Sequence, residues 1–376
     1  SHRSGLARFQ GDFMFYDSDL TKNEIIEALS KFEIANAYRE FGYTNVGYFL
    51  LGEIIAALSG MTYEDYVQEV IFDRLHMARS TARPNDFWAA DNRADPYTVM
   101  KGEIVSRRVG DYANMVAAGG IATSARDVGN WMIAQLQNGL IGGDETLPAQ
   151  VFERTRQPQI FIGRANPPYT IFGDSNFELY SSGWYHIDYE GLEIITHNGG
   201  SYGFSSSVTL IPELDVGVAI LTNSDAHLLF ETVKLEIVDA FLGLPVRNYS
   251  TLAKGIFLAQ EEGKAARIDE MLALVENASD PAIPLSSYSG VYNNSAYGEV
   301  SVSVEGDGLK LLFEHHPDLF GTLKLIEDGR FFCVFNQSIY GSSVIDFEFD
   351  GTKVTHMTFR VDENVEPNAY QFSKKR

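Results

Sequence analysis

The chain has 376 residues and a formal net charge of −22, with 45% hydrophobic and 21% charged residues. This balance is typical of a folded protein, and the length allows two domains. The negative charge argues against nucleic acid or an anionic membrane surface as a partner, because both would be repelled. The single cysteine, Cys333, excludes an intramolecular disulfide and a multi-thiolate metal site, and no apolar run approaches the ~20 residues that span a bilayer.

The first part of the chain has helical periodicity. A largely apolar run at residues 45–58 predicts a buried helix, and residues 62–75 open with a Thr-x-x-Asp cap and predict an amphipathic helix. Ser124 is the predicted cap of another helix, which stops near Gly139. Between them, residues 83–115 show little periodicity and predict a long surface excursion.

The later part changes to strand-like patterns. Strands are predicted within residues 191–222, followed by a helix at about 227–241, so helices flank a strand cluster. This order predicts an α+β domain with helices packed on an antiparallel sheet. A polar connector leads into short strands separated by turns, which are typical of a small all-β barrel. The barrel strands are predicted at 290–292, 298–304, 309–313, 321–326, 331–335, 344–349 and 354–359. The predicted divisions are a first domain at 1–250, a helical linker at 251–282 and a barrel domain at 283–376.

Two polar residues stand at the entrance to the first long helix. Tyr43 and Asn45 are two positions apart, so both side chains can point into one cleft. Taken alone, the pair is better explained as a helix cap, in which Asn45 satisfies backbone donors and Tyr43 packs on the helix.

A second motif, His197-Asn198-Gly199-Gly200, follows the apolar run 192–196. Two glycines at a strand edge let another backbone approach and expose an N–H to a ligand, as an oxyanion site requires. Taken alone, this motif is better explained as a glycine-rich turn with a surface histidine.

A third motif, Ala117-Ala118-Gly119-Gly120-Ile121-Ala122-Thr123-Ser124-Ala125-Arg126-Asp127, has small residues and no obvious chemistry. In this order the three motifs resemble the β-lactamase-related serine hydrolases, which include class C β-lactamases, DD-peptidases, esterases and D-aminopeptidases. The opening Ser1–Leu6 is also similar to a segment of that family. The resemblance covers about residues 1–245 and implies a penicillin-binding-protein-like fold. Residues 283–376, with Tyr288–Tyr292 and Gly321–Leu323, are similar to a lipocalin-like barrel found in some members.

The family signature begins with Ser-x-x-Lys, continues with Tyr-x-Asn or Ser-x-Asn, and ends with Lys-Thr-Gly or His-x-Gly. In this chain no lysine has a serine three residues before it. Thr98 and Lys101, like Thr251 and Lys254, have the right spacing but lie downstream of Tyr43, in the wrong order. Because the family places Ser-x-x-Lys upstream, we expect an N-terminally truncated chain that lacks its first strands and nucleophile helix.

The resemblance implies a role for each motif residue. Tyr43 and the absent lysine would activate the absent serine, and Asn45 would bind the substrate amide or position the lysine. The Gly200 N–H, beside Gly199, would form half of the oxyanion hole. His197 occupies a position where β-lactamases usually have lysine. A histidine is mostly neutral at pH 7, which favours esterase or aminopeptidase chemistry over β-lactam turnover.

The expected function is therefore hydrolysis of an ester or amide through an acyl-enzyme, with a small-molecule or peptide substrate and no cofactor or metal. One alternative is a ligand-binding homologue without turnover, and another is a second chain that supplies the missing helix. A third is an α/β-hydrolase-like nucleophile at Ser201, within Gly199–Gly203. That motif needs a helix after the serine, whereas residues 204–211 predict a strand.

Three further expectations concern the location of the protein, its self-association and the burial of barrel-domain residues. The resemblance implies an extracytoplasmic location, since many members are exported. Absence of the first strands and nucleophile helix would expose apolar surface, which predicts self-association. In the barrel domain, Cys333 is predicted to be a buried apolar residue, and His315 and His316 to be solvated in a turn.

Overall fold

The computed structural model describes residues 1–34, 40–100, 102–166 and 169–376. Lys101, in one of the misordered Thr-x-x-Lys pairs, lies outside these residues. The α-helices, in chain order, are α1 (Lys22–Leu29), α2 (Val46–Ser59), α3 (Tyr63–Val67), α4 (Pro84–Ala89), α5 (Val116–Gly119), α6 (Ala125–Leu136), α7 (Ala149–Thr155), α8 (Tyr169–Phe172), α9 (Leu229–Leu242) and α10 (Tyr249–Glu276).

The strands divide between a mixed first half and an all-β C-terminal part. In chain order they are β1 (Tyr97–Met100), β2 (Glu103–Ser106), β3 (Leu140–Ile141), β4 (Asp144–Glu145), β5 (Ile160–Arg164), β6 (Phe177–Tyr180), β7 (Tyr185–Tyr189), β8 (Leu192–Ser201), β9 (Phe204–Ile211), β10 (Val216–Thr222), β11 (Gly290–Asn294), β12 (Gly298–Glu305), β13 (Gly308–Phe313), β14 (His316–Glu327), β15 (Arg330–Phe335), β16 (Ser342–Asp350), β17 (Lys353–Phe359) and β18 (Tyr370–Lys374).

The described chain forms two compact units. The first comprises Ser1, Leu51–Val109 and Val116–Gln260, and the second comprises His2–Leu50, Gly110–Met115 and Glu261–Arg376. The predicted domain boundaries near 250 and 282 stay predictions. The structure adds that the N-terminal residues 2–50 pack in one unit with the barrel.

The first unit is built on a six-stranded antiparallel sheet in the order β10-β9-β8-β7-β6-β5. Adjacent residues of a strand point to opposite faces, and both faces of β8 are covered. Ile195 belongs to a cluster with Met132 of α6, whereas Ile194 belongs to a cluster with Leu235 and Val238 of α9. Helices thus pack on both faces of an antiparallel sheet, which confirms the predicted α+β architecture.

The second unit contains a closed eight-stranded antiparallel barrel, β11 to β18 in sequential order. Alternating apolar residues fill its interior, and Cys333 is fully buried among them, as predicted. The prediction for His316 was wrong. This side chain is buried and stacks on Phe13, with ring centroids 4.0 Å apart and an interplanar angle of 8°. Burial lowers its pKa to about 4.

Several elements differ from the sequence-based expectation. Residues 83–115, predicted as a long surface excursion with little periodicity, contain α4 and the β1–β2 hairpin. β5, β6, β7, β18 and the first residues of β14 were not predicted. Within the described ranges no single helix is long and apolar enough to cross a membrane. Two helical segments bent by 81°, Val46–Ser59 and Tyr63–Phe72, pass that test together on length and composition alone.

Candidate active site

The Tyr43–Asn45 loop precedes α2 in the second unit, and a buried carboxylate holds it. Asp12 accepts a hydrogen bond from the Asn45 backbone N–H at 3.0 Å and another from Asn45 Nδ2 at 2.7 Å. The Thr44 hydroxyl donates to the same carboxylate at 3.0 Å. The Asn45 side chain therefore reaches across to Asp12, and the Asn45 backbone carbonyl accepts from the N–H groups of Tyr48 and Phe49 in α2.

Asp12 lies in an acidic, dehydrated setting. Its side chain is 1% exposed, and burial together with the nearby Glu366 carboxylate raises its pKa to about 8. Two buried carboxyl groups that repel one another ionise less readily than isolated ones. Burial also raises the pKa of Glu366, which accepts hydrogen bonds from the N–H groups of Gly11 and Phe13.

The Tyr43 phenol is surrounded by aromatic rings. Its ring lies 4.1 Å from that of His2 and 5.7 Å from that of Phe9, centroid to centroid. Burial, followed by the influence of Tyr48 and Asp12, raises the pKa of Tyr43 above its ordinary value. The phenol stays protonated at neutral pH in this environment, so a role as a base requires a cation beside it.

In the first unit, the His197–Gly200 motif lies within β8. The sequence had instead placed the motif after the end of the strand. Residues 192–196 pair with β7 on one side, and residues 195–201 pair with β9 on the other. Among the described residues, no strand pairs with the β7-side edge of residues 197–201. This end of β8 is therefore an open strand edge with exposed Asn198, Gly199 and Gly200.

The register of the β8–β9 hairpin fixes where the Gly200 N–H points. Ser201 pairs with Phe204 across a two-residue turn, and Gly200 pairs with Ser205. In a two-residue hairpin the two residues that flank the turn, here Ser201 and Phe204, exchange backbone hydrogen bonds. In the next pair, Gly200 and Ser205, the backbone N–H and C=O groups therefore point away from the partner strand. The Gly200 N–H consequently faces the open edge, which is the orientation an oxyanion donor needs.

His197 lies on the other sheet face from Thr196 and is partly buried. Its Nε2 is 3.2 Å from the Tyr180 hydroxyl, and its Nδ1 is 2.7 Å from the Asn198 carbonyl oxygen. Burial lowers the pKa of His197. The imidazole is thus neutral at pH 7 and provides no fixed positive charge.

A polar cluster that the sequence analysis missed lies behind Asn198. The Asn198 amide donates to the Glu231 carboxylate, which pairs with Lys234, one turn further along α9. Lys234 is fully buried and donates to the Tyr169 hydroxyl at 2.8 Å, and its burial lowers its pKa. The spacing of Glu231 and Lys234 on a helix was visible in the sequence, but their side-chain partner on β8 was not.

Ser201 stands at the end of β8, where Tyr202 and Gly203 form the turn with positive φ angles of 41° and 89°. A strand, β9, follows this turn. A nucleophile elbow requires a helix there, so the geometry is that of a β-hairpin.

The predicted site residues fall into two groups. Tyr43 and Asn45 belong to the second unit, and His197, Gly199 and Gly200 belong to the first. A ligand-binding role for either group, and a pocket shared by both, stay predictions. The described residues contain no group of three or more His, Cys, Asp or Glu side chains that could hold a metal ion.

Comparison with protein families matches both halves of the chain. A family model described as Beta-lactamase matches residues 1–237. A second, described as a domain of unknown function (DUF3471), matches residues 275–374.

Individual relatives are distant. The unguisins hydrolase ungD of Aspergillus violaceofuscus is 24% identical over 336 residues, which cover 83% of this chain and 58% of that protein. Protein flp of Staphylococcus aureus is 25% identical over 217 residues, which cover 57% of this chain and 39% of that protein. The chain therefore spans about half the length of these curated relatives. The octameric penicillin-binding protein homologue from Pyrococcus abyssi matches in structure with a TM-score of 0.55 at 19% identity, covering 100% of this chain and 76% of that one. At that identity the likeness shows a common fold.

Proposed function

Because the chain belongs to the Beta-lactamase family, we propose that it is part of a serine hydrolase that acts through an acyl-enzyme on an ester or amide. Its α+β fold is penicillin-binding-protein-like and carries a closed C-terminal barrel. The observation that best supports the proposal is the open edge of β8, toward which the Gly200 N–H is directed. A preorganised backbone donor at such an edge stabilises the oxyanion that forms when a carbonyl is attacked.

The nucleophile in this proposal comes from outside the 376 residues. Ser-x-x-Lys does not occur in the sequence. A lysine brought next to Tyr43 would stabilise its phenolate and so offset the burial that raises its pKa. Tyr43 would then take the proton from the serine, and Asn45 would bind the substrate amide or position the lysine.

Covalent labelling tests this proposal. The gene product that includes the coding sequence upstream of Ser1 is compared with the 376-residue chain, using a fluorophosphonate probe. We expect one probe per molecule of the longer protein and none on the shorter one. Ser201→Ala in the longer protein serves as the matched control and should label fully.

Three outcomes contradict the proposal in different ways. Stoichiometric labelling of the 376-residue chain would mean that the nucleophile lies within it, and loss of labelling in Ser201→Ala would identify that nucleophile. An upstream sequence without Ser-x-x-Lys, in a protein that binds but never turns over ligands, would favour the non-catalytic homologue. Co-purification of a second labelled chain would place the serine there.

The neutral imidazole of His197 supports an esterase or aminopeptidase over a β-lactamase. A β-lactam carries a carboxylate that a lysine at this position would attract, and burial keeps His197 uncharged. In the longer protein we expect p-nitrophenyl butyrate to be hydrolysed faster than a penicillin. His197→Lys should raise kcat/KM for a carboxylate-bearing ester but not for its methyl ester. An equal change for both esters would count against this substrate assignment.

The proposal also includes self-association of the 376-residue chain and export of the longer gene product from the cytoplasm. α2 exposes Leu51, Ile54 and Leu58 along one side, with exposed fractions of 50%, 51% and 85%. Such a stripe favours association of the isolated chain, which light scattering would detect as a mass above that of the monomer. Export would be tested by fractionating cells that express the longer gene product.

A further inference from the structure

We propose that Glu366, which lies between the last two strands of the barrel, positions the Tyr43–Asn45 loop through Asp12. The barrel would then be a working part of the site rather than an appended module. The catalytic role of this link rests on the proposed function. The link itself, here called the relay, runs from Glu366 through Asp12 to Asn45 and lies within the second unit alone.

The first link joins the barrel to the backbone around Asp12. Glu366 is 1% exposed, and its two oxygens accept from Gly11 N at 3.0 Å and Phe13 N at 3.1 Å. One carboxylate thus holds the chain on both sides of Asp12. The Tyr297 hydroxyl lies 2.8 and 2.7 Å from the two Glu366 oxygens and shares its one proton between them, and Tyr370 donates to one oxygen, so the barrel fixes the orientation of the carboxylate.

The second link joins Asp12 to the loop. Its carboxylate accepts from the backbone N–H of Asn45, from the Asn45 side chain and from the Thr44 hydroxyl. With Nδ2 bound to Asp12, the orientation of the Asn45 amide is fixed and its oxygen is turned the other way. Asn45 is the residue that would contact the substrate or the lysine, so a shift of Asp12 moves a group at the reacting centre.

Close packing makes the relay stiff. Gly11 has a φ of 91°, and a Cβ there would lie 3.0 Å from Val46 Cγ2 and 3.1 Å from Leu29 Cδ2. The Gly11 backbone, which bonds to Glu366 and precedes Asp12, therefore has no free space toward Val46 and Leu29. A displacement at Glu366 is passed on to Asp12 instead of being absorbed.

The alternative is that both carboxylates only stabilise the fold. A matched control exists in the first unit, where the buried Asp127 accepts from the Arg79 N–H at 2.7 Å and the Ser80 hydroxyl at 2.9 Å. Like Asp12, it holds a backbone N–H and a hydroxyl, but these partners, Arg79 and Ser80, belong to the first unit, whereas the Tyr43–Asn45 loop belongs to the second. A purely structural role predicts the same response from both sites.

The experiment compares Glu366→Gln with Asp127→Asn, two near-isosteric changes. Hydrogen–deuterium exchange of the 376-residue chain is followed at residues 43–46 and, for reference, at β8. We expect Glu366→Gln to speed exchange at residues 43–46 by at least about tenfold, since one lost hydrogen bond of about 1.4 kcal/mol has that effect. Asp127→Asn should leave those amides unchanged. A uniform increase over the whole chain, or no increase at residues 43–46, would overturn the proposal.

Kinetics of the longer protein give the second readout. We expect Glu366→Gln to lower kcat for ester hydrolysis by about tenfold or more with little change in KM, since misplacement of a catalytic group affects the chemical step. Asp127→Asn should retain kcat. If the longer protein labels but Glu366→Gln keeps full kcat, the positioning role is refuted. If the longer protein never labels, the proposed function fails, and the exchange data still decide whether the relay exists.

Discussion

The two groups of predicted site residues are held in different ways. Three hydrogen bonds of the Tyr43–Asn45 loop, one from a backbone N–H and two from side chains, end on the buried Asp12 carboxyl group. The His197–Gly200 segment is held by a backbone ladder to β9 that runs from Ile195 to Ser201. A backbone ladder does not depend on any one side chain, whereas the loop loses three hydrogen bonds at once when the Asp12 side chain is removed. The loop should therefore be sensitive to distant substitutions, and the strand only to changes in its backbone.

The largest expected effect is that of Asp12→Ala. The substitution leaves the Asn45 N–H, the Asn45 amide and the Thr44 hydroxyl without their shared acceptor. Buried donors without partners are costly, so we expect the free energy of unfolding to fall by about 3 kcal/mol in urea titrations. Asp19→Ala, which removes a half-exposed carboxylate next to His315, should cost less than about 0.5 kcal/mol. Equal losses in the two variants would show that the loop does not depend on Asp12.

The next effect concerns the backbone of the β8–β9 turn. Gly203 has a φ of +89°, and an added Cβ would lie 2.8 Å from Pro96 Cβ and 3.0 Å from the Tyr97 backbone. Gly203→Ala should therefore cost about 2 kcal/mol, through strain and a steric clash. Gly255→Ala, at a helical position with nothing within 4 Å, should be neutral or stabilising when both variants are compared by urea titration. A harmless Gly203→Ala would mean that the strand segment tolerates backbone changes as well.

The strand segment was easier to predict from the sequence than the contacts that hold the Tyr43–Asn45 loop. The strand segments at 191–196, 205–211 and 216–222 were predictable because they are rich in β-branched and apolar residues, but the glycine-bearing end of β8, residues 197–201, was not predicted as strand. Asp12 gave no local pattern. Its partner Asn45 lies 33 positions away, and Glu366 lies 355 positions from Gly11, so only the folded chain brings them together.

β5, β18 and the buried His316 were missed for a related reason. β5 contains a glycine and an arginine beside its apolar residues, and β18 is a short polar strand that closes the barrel, so tertiary pairing rather than local preference forms them. His316 is buried because Phe13 stacks on it and the Phe13 carbonyl oxygen lies 3.1 Å from its Nε2. Both contacts come from a distant part of the sequence.

A smaller effect should appear in the pH dependence of stability. Burial and Glu366 raise the pKa of Asp12 to about 8, so between about pH 4 and 8 the folded state holds a proton that the unfolded state has released. This stabilisation is complete below the unfolded pKa and is lost as pH rises toward 8, with a slope of at most about 1.4 kcal/mol per unit. His316, with its lowered pKa, acts in the opposite direction below pH 6.5, so the cleanest window is pH 6.5–8.

Urea titrations across that window should show wild-type stability falling and Asp12→Asn changing less steeply. Glu366, whose pKa is also raised, contributes with the same sign in both proteins, so the difference in slope reports Asp12 together with its repulsion by Glu366. Parallel curves for the two proteins would mean that Asp12 titrates in the folded state as it does in the unfolded state.

The smallest effect on stability should come from Gly200→Ala. A Cβ at Gly200 would have only the Phe204 carbonyl oxygen nearby, at 4.0 Å, and would extend from the exposed end of β8. A Cβ at Gly217 of β10 would instead lie 3.0 Å from Met132 of α6. We expect Gly200→Ala to stay within about 0.5 kcal/mol of wild type and Gly217→Ala to cost more, since only the latter disturbs a packed face. In the longer protein, Gly200→Ala should nevertheless slow probe labelling, because the new methyl group would stand on a sheet face immediately beside the N–H that a substrate carbonyl would approach. If Gly200→Ala cost more stability than Gly217→Ala, the end of β8 at Gly200 would be packed against other residues and would not be an open edge.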